Sequence, residues 1–228
     1  MQAQGGRNDS NLRTNRIDWN GLDGRLVQSL RASTVLGSSI KGTNLSSIMS
    51  NVKYGIVCGI EVTNWTKFEL TDPAFSAKSG FVSSPPVSIQ PNTIEIVITH
   101  KHGYTMTGSG GIVSWLVKGK SRRIFVMWES PYFTSNSLAV GITKIGVQTH
   151  NEAWFNQIEK NPKSSHQEFN FTHARFKSTC SQTMVDDDEF EILGMMGSSG
   201  KPEVRITFRP QRMMDLSTIA EIPLATQQ

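Results

Sequence analysis

Residues 17–36 carry apolar side chains at helical spacing. Trp19, Leu22, Leu26 and Leu30 recur at steps of three and four residues with polar residues between them. This spacing is typical of one face of an amphipathic helix. Glycines interrupt the stretch, and a glycine inside a helix costs about 0.5–1 kcal/mol relative to alanine. We therefore expect a segment that is able to form a helix without being strongly committed to it.

After Lys53 the apolar period changes from that of a helix to a period of two. Short runs rich in Val, Ile and aromatic residues alternate with turn residues, which is typical of β-strands. The runs lie at residues 54–62, 94–98, 111–117, 124–128, 138–147, 190–193 and 204–208. Residues 118–121, between two of these runs, have the sequence of a hairpin turn.

One helix is predicted within the strand-rich part. Residues 150–161 follow Thr149, with Glu152 three positions later as in a capping box, and end before Pro162. Together these elements predict a mainly β fold, a β-sandwich of two sheets with one helix on each side. The predicted organisation is a leader at residues 1–16, an amphipathic segment at 17–53, the sandwich at 54–209 and a tail at 210–228.

Composition supports a folded β protein. The chain of 228 residues is 37% hydrophobic and only 18% charged, with 19 Gly and 9 Pro, which excludes a coiled coil or a wholly disordered chain. Residues 1–53 contain seven basic and three acidic residues, whereas the remaining residues contain 16 of each. The net charge of +4 therefore belongs to the N-terminal arm, which should favour anionic surfaces. No apolar run approaches the roughly 18 residues of a transmembrane helix.

The sequence offers no recognisable arrangement for catalysis or metal binding. His100 and His102 lack acidic or cysteine partners at ligand spacing, and residues 186–189 lack the glycine and the terminal glutamate of a calcium loop. Residues 119–121 resemble the end of a phosphate-binding loop, but its first glycine is missing. We therefore expect no enzyme activity, no cofactor, no metal and no nucleic-acid partner.

The cellular compartment stays open at this level. The first 16 residues are polar and lack the apolar core of a signal peptide, so the chain is either intracellular or secreted by a signal outside this sequence. Cys58 and Cys180 lie 122 residues apart, and whether they form a disulfide is likewise open.

The order of the elements and a series of short motifs resemble the actinoporins, the pore-forming cytolysins of sea anemones, and their actinoporin-like relatives. The motifs run in order through residues 38–208: Asn51-Val52-Lys53, YGIVCGIEV with Trp65, Lys78-Ser79-Gly80, residues 107–113 and 126–128, Ser130-Pro131-Tyr132, Ser135-Asn136 with residues 140–142, the helix at 150–161, and Gly197-Ser198-Ser199-Gly200. The resemblance implies an actinoporin-like β-sandwich flanked by two helices. It also implies membrane binding, oligomerisation on lipid and insertion of an N-terminal helix whose apolar face is Trp19, Leu22, Leu26 and Leu30.

The resemblance further implies a lipid-binding surface. Its expected members are Ser79, Pro131, Tyr132, Phe133, Trp154 and Phe155, and at least one of the last two should be exposed. Gly110 and Glu129 stand where the family has a valine and a serine of its phosphocholine site, and Glu159 and Lys160 stand at tyrosine positions. Most of the aromatic faces that hold a quaternary ammonium are thus absent, so phosphocholine should be a poor ligand.

Two functions remain after this comparison. The first is a secreted pore-forming protein that acts at a target-cell membrane, with membrane lipid and further copies of the chain as partners. The alternative is a non-lytic, lectin-like or lipid-recognition module. In that case Leu22, Leu26 and Leu30 would pack permanently on the sandwich.

Overall fold

A computed structural model describes residues 16–21, 24–162, 166–176 and 181–217 of the chain. The N-terminal part contains helix α1 (Gly24–Ser33), strand β1 (Val35–Leu36), a 3₁₀ turn (Ser38–Ile40) and helix α2 (Leu45–Ser50). The remaining elements are β2 (Val57–Asn64), β3 (Leu70–Ser79), β4 (Phe81–Ser84), β5 (Thr93–His100), β6 (Ser109–Val117), β7 (Arg122–Ser130), β8 (Asn136–Thr143), α3 (Ala153–Lys160), β9 (Phe169–Phe176), β10 (Ser181–Asp186), β11 (Phe190–Met196) and β12 (Glu203–Pro210).

The strands form two sheets that pack face to face. The first sheet has the order β1-β5-β2-β12-β11-β10, with β4 also paired to β5, and the second has the order β3-β6-β7-β8-β9. Most neighbours are antiparallel, but β12 pairs with β2 and β1 with β5 in parallel. The predicted β-sandwich is confirmed.

Strand β7 shows how the sequence fills both sides of the second sheet. Val126 and Trp128 point into the core between the sheets, whereas Phe125 and Met127 point to the opposite face and contact the cluster under α3. Successive side chains of a strand lie on opposite faces, so a nearly continuous apolar run is required when both faces are buried.

Helical elements cover the outer faces of the sheets. Trp154, Phe155 and Ile158 of α3 pack on the second sheet. On the first sheet the 3₁₀ turn and α2 bury Ile40 and Leu45 against β2 and β5. None of the helices within the described residues is long and apolar enough to cross a bilayer.

Several local expectations differ from the structure. Helix α1 is shorter than the predicted 17–36 segment, and strands β1, β3, β4, β9 and β10 were not predicted. β3 is irregular because Asp72 has a positive φ of 46° before Pro73, and the pairing with β6 shifts there. The capping box at α3 is wrong: among the described residues, the Glu152 side chain caps no amide of the first turn, and Asn151 Oδ1 accepts from the Ala153 amide at 3.0 Å instead.

Part of the predicted tail packs on the sandwich. Leu216 is buried and forms an isolated bridge with Thr66, and the amide of Ser217 donates to the Trp65 carbonyl at 3.0 Å. At the other terminus, the amide of Ile17 donates to the carbonyl of Gln211 at 2.9 Å. The two ends of the described chain therefore lie beside each other.

Candidate functional site

One end of the sandwich collects exposed aromatic and apolar side chains. They come from the segment between α2 and β2, from β4, from the β5–β6 loop and from the β7–β8 loop. The members are Tyr54, Phe81, Val82, Tyr104, Met106, Tyr132 and Phe133, here called the aromatic end. Contiguous exposed apolar surface of this kind marks sites of interaction in soluble proteins.

Two histidines at the end of β5 connect the first group of these rings. Tyr54 stacks on His100 with ring centroids 4.0 Å apart and an interplanar angle of 5°. Phe81 meets the edge of His102 at 4.4 Å. His100 and His102, which the sequence analysis weighed as zinc ligands, thus pack against aromatic rings at this end.

The β7–β8 loop supplies the second group. Tyr132 and Phe133 are exposed, as their predicted contact with lipid requires, and their ring centroids lie 4.8 Å apart. Lys101 Nζ lies 5.7 Å from the Tyr132 ring centroid. Lys101 lies between His100 and His102 in sequence. It therefore connects the rings around the histidines with Tyr132 and Phe133 in one surface.

Close backbone contacts hold the loops of this end together. A Cβ at Gly108 would overlap the Ser130 carbonyl and lie 2.6 Å from Pro131 Cα, so glycine is required for the β5–β6 loop to approach the β7–β8 loop. The Ser79 hydroxyl donates to the Gly108 carbonyl at 2.9 Å. Ser79 and Pro131, two predicted lipid-binding residues, are therefore half-buried residues that shape this end.

The expectation that Trp154 or Phe155 is exposed is wrong. Their relative exposures are 0% and 3%. The Trp154 ring packs on Phe125 at 5.6 Å and on Phe169 at 5.7 Å, and its Nε1 donates to Glu168 Oε2 at 2.9 Å. Both residues are buried because they provide the apolar cover that the outer face of the second sheet needs.

Two carboxyl groups meet where α3 approaches the end of β7. Glu129 lies opposite Gly110 in β6 and Ser137 in β8, and Glu159 of α3 lies near enough to act on its carboxyl. Ser137 Oγ also donates to Glu129 Oε2 at 3.2 Å. Burial, followed by the hydrogen bond and charge of Glu159, raises the pKa of Glu129 to about 7. The structure thus joins two positions that sequence comparison had considered separately.

The predicted inserting segment lies against the sandwich. Trp19 is buried beside Trp65, its Nε1 donates to the Pro210 carbonyl at 2.8 Å, and the Arg209 guanidinium lies 4.6 Å from its ring centroid. Leu30 belongs to the same buried cluster. The side chains of Leu22 and Leu26 lie outside the described residues.

Glu95 fixes the chain immediately after this segment. It is buried in β5 and accepts from the Ser38 amide at 3.0 Å and from the Ser39 amide at 2.8 Å, and the Ser39 hydroxyl also donates to it. These amides open the 3₁₀ turn. Sequence reasoning missed Glu95, although a single acidic residue within the apolar run of β5 was a usable signal.

A solved structure supports the fold assignment. The crystal structure of the lipid binding protein Nakanori matches 72% of this chain and 76% of its own chain, with a TM-score of 0.56 and 15% sequence identity. At this level of identity the match shows a shared fold.

Comparison with characterised sequences shows the family. No family model matches the chain. Conoporin-Cn1 from Conus consors and Echotoxin-2 from Monoplex parthenopeus are each 29% identical to it, over 76% and 85% of this chain and 70% of each relative. Tereporin-Ca1 from Terebra anilis is 32% identical over 182 residues, which are 77% of this chain and 95% of the relative. The chain therefore belongs to the actinoporin-like family of toxins that includes Tereporin-Ca1.

Proposed function

We propose that this protein binds lipid membranes through the aromatic end and then permeabilises them. The observation that carries the proposal is the gathering of seven exposed aromatic and apolar side chains at one end of the sandwich. Aromatic rings suit the boundary between headgroups and acyl chains. The names of the relatives, tereporin, conoporin and echotoxin, support the same activity.

Permeabilisation requires the N-terminal segment to leave the sandwich. Helix α1 has 10 residues, about 15 Å at 1.5 Å per residue, half of a hydrocarbon core of about 30 Å. The segment must therefore extend on insertion, and several copies must turn their polar faces to a shared water-filled lumen. Trp19, Leu22, Leu26 and Leu30 form the proposed lipid-facing side, and the contacts of Glu95 mark where the moving segment joins the fixed body.

This function implies a secreted, non-enzymatic protein that acts on a target-cell membrane. Its partners are membrane lipid and further copies of the chain. A second candidate is a non-lytic lipid-recognition module, which the burial of Trp19 and Leu30 favours. In that case the N-terminal segment stays packed on Trp65.

A matched pair of variants tests the binding surface. Phe133 and Ile145 are each 74% exposed, but they flank opposite ends of β8, about 27 Å apart for eight residues of strand. Phe133→Ser should weaken flotation with lipid vesicles roughly 10- to 100-fold, because transfer of one such ring is worth about 1.5–3 kcal/mol. Ile145→Ser should leave flotation unchanged. Equal effects of the two variants would contradict binding through the aromatic end.

Release of a trapped dye separates the two candidate functions. Leu26→Asp should abolish dye release and leave vesicle binding nearly intact, because a carboxylate is costly only once it enters the apolar phase. Wild-type protein that binds vesicles without releasing dye would establish the non-lytic module instead.

A further inference from the structure

Three lysines lie among the segments that form the aromatic end. We propose that Lys53, Lys101 and Lys201 give this end a preference for membranes whose lipid headgroups carry a net negative charge. The inference rests on the proposed function and deepens it, because it names the class of lipid that the same surface takes.

Lys101 holds its ammonium group among the exposed rings. Its Nζ donates to the Thr105 carbonyl within the β5–β6 loop and lies 5.7 Å from the Tyr132 ring centroid. Tyr104 and Met106 of the same loop are exposed. A lysine whose stem lies along apolar groups places its ammonium at the polar boundary of a bilayer. When these rings enter the membrane interface, the Lys101 ammonium therefore lies at the level of the lipid headgroups.

Lys53 and Lys201 belong to two adjoining segments of this end. Lys53 is exposed and directly precedes Tyr54. Lys201 lies in the exposed β11–β12 turn, and its Nζ donates to the Val52 carbonyl at 3.3 Å. Because this bond ties the turn to the residue before Lys53, both lysines are fixed beside the same group of rings.

The β6–β7 hairpin, at the opposite end of the sandwich, is also rich in basic residues, but their charges are neutralised. Its ion pairs are Lys118–Glu69 at 2.8 Å, Lys120–Glu189 at 2.6 Å and Arg122–Asp187. In the part of the chain that the structure describes, no ion pair includes Lys53, Lys101 or Lys201. Lys101 and Lys201 contact carbonyl oxygens instead, so their charges remain available to an anionic surface.

The segments that form the aromatic end contain no acidic residue. They are residues 52–56, 80–84, 101–108, 131–135 and 197–202. The charged side chains of these segments therefore produce a potential of one sign, which attracts anionic surfaces. The attraction between a lysine and an anionic leaflet falls off within a Debye length, about 8–10 Å at physiological salt. Contact of the rings with the membrane keeps the lysines within this distance.

Flotation of the full chain tests the preference with vesicles of phosphatidylcholine alone and of phosphatidylcholine mixed with phosphatidylserine or phosphatidylglycerol. Lys101→Gln should lower the affinity for both anionic mixtures about fivefold, the usual effect of one basic residue near the surface. Its affinity for phosphatidylcholine alone should not change, because the glutamine retains a donor for the Thr105 carbonyl. The fivefold difference should disappear in high salt.

Two further variants control for charge and position. Lys101→Arg retains the positive charge and should bind all three kinds of vesicle like the wild-type protein. Lys144 is exposed just after β8, at the end of the sandwich away from the rings. Lys144→Gln should therefore also bind like the wild-type protein.

Three results would overturn the proposal. The first is wild-type affinity of Lys101→Gln for the anionic vesicles, and the second is an equal loss in Lys144→Gln, since either would assign the preference to charge elsewhere on the chain. The third is binding to phosphatidylserine but not to phosphatidylglycerol, which would indicate recognition of one headgroup rather than of surface charge. Failure of the proposed function is distinguishable from these results, because Phe133→Ser would then bind phosphatidylcholine vesicles as well as the wild-type protein does.

Discussion

The indole of Trp65 contacts the chain on both sides of α1, through Trp19 before the helix and Thr34 after it. The Trp19 and Trp65 ring centroids lie 5.9 Å apart at an interplanar angle of 27°, and Trp65 Nε1 donates to Thr34 Oγ1 at 3.0 Å. The polar edge and the apolar face of one side chain are thus both used to dock α1. Detachment of the N-terminal segment must break both contacts together.

A first prediction follows from these contacts. Trp65→Phe should remove the hydrogen bond to Thr34 and reduce the stacking with Trp19, which weakens docking of the segment by about 1–2 kcal/mol. If detachment precedes leakage, the lag before dye release should shorten about five- to thirtyfold. Affinity for vesicles should not change. Time-resolved dye release measures the lag.

Met214→Ala provides the control for the Trp65 variant, because Met214 is exposed and belongs to the adjacent C-terminal segment. Its lag should equal that of the wild-type protein. A longer lag for Trp65→Phe would show that docking of the N-terminal segment promotes leakage. It would contradict the idea that the segment must detach before leakage.

A second prediction concerns Gly37, where the N-terminal segment meets Glu95 of the sandwich. A Cβ at this position would overlap the Glu95 carboxylate, so Gly37→Ala should displace the contacts of Glu95 with the 3₁₀ turn. We expect a loss of about 1–3 kcal/mol in the free energy of unfolding, the usual cost of overpacking. Urea denaturation measures this loss. Gly55→Ala is the control, because a Cβ there meets nothing within 4 Å among the described residues, and equal losses in the two variants would contradict the steric argument.

His150 provides a third prediction, with a pH dependence. Its Nε2 lies 2.9 Å from Ser76 Oγ and its Nδ1 lies 2.8 Å from Ser114 Oγ. Burial, and then the charge of the nearby Arg123, lowers the pKa of His150 to about 4, so the folded state holds a neutral ring. This contribution to stability is present above pH 6.5 and is lost as the pH falls from 6.5 through 4.

The variant His150→Gln isolates this effect. It retains a donor and an acceptor for the two serines but does not titrate. The difference in unfolding free energy between wild type and variant should shrink by up to about 1 kcal/mol per pH unit as the pH falls from 6.5 to 4. A difference that stays constant over this range would show that His150 is not the titrating group.

A fourth prediction concerns phosphocholine. Glu129 stands where the family resemblance places a serine of the phosphocholine site and Glu159 where it places a tyrosine, so an aromatic wall is missing and any negative charge there repels the phosphate. Titration with phosphocholine should therefore give no saturable binding below millimolar concentration, and vesicle binding should not require sphingomyelin. Sub-millimolar binding that depends on Ser79 and Tyr132 would contradict this expectation.

Local sequence patterns were enough to predict the sandwich and its helix near residue 155. Period-two apolar runs such as that of β7 are local signals, because alternate side chains must lie on opposite faces whichever strands are neighbours. Polar, irregular strands carry no such signal. β3 was missed because Asp72 and Pro73 interrupt its pattern, and its strand geometry is set by pairing with β6.

The exposure of the candidate site residues depends on long-range packing and could not be predicted from local patterns. Tyr132 and Phe133 are exposed on a loop, whereas Trp154 and Phe155 are buried, although all four are aromatic residues in polar surroundings along the chain. Whether an aromatic side chain is exposed depends on which other segments pack over it in the folded protein. Trp154 and Phe155 are buried because they cover the apolar face of the second sheet beneath α3. The hydrogen bonds of Glu95 to Ser38 and Ser39 likewise join residues far apart in sequence. No local pattern contains such contacts, because their energies arise from burial and proximity that exist only after the sheets have formed.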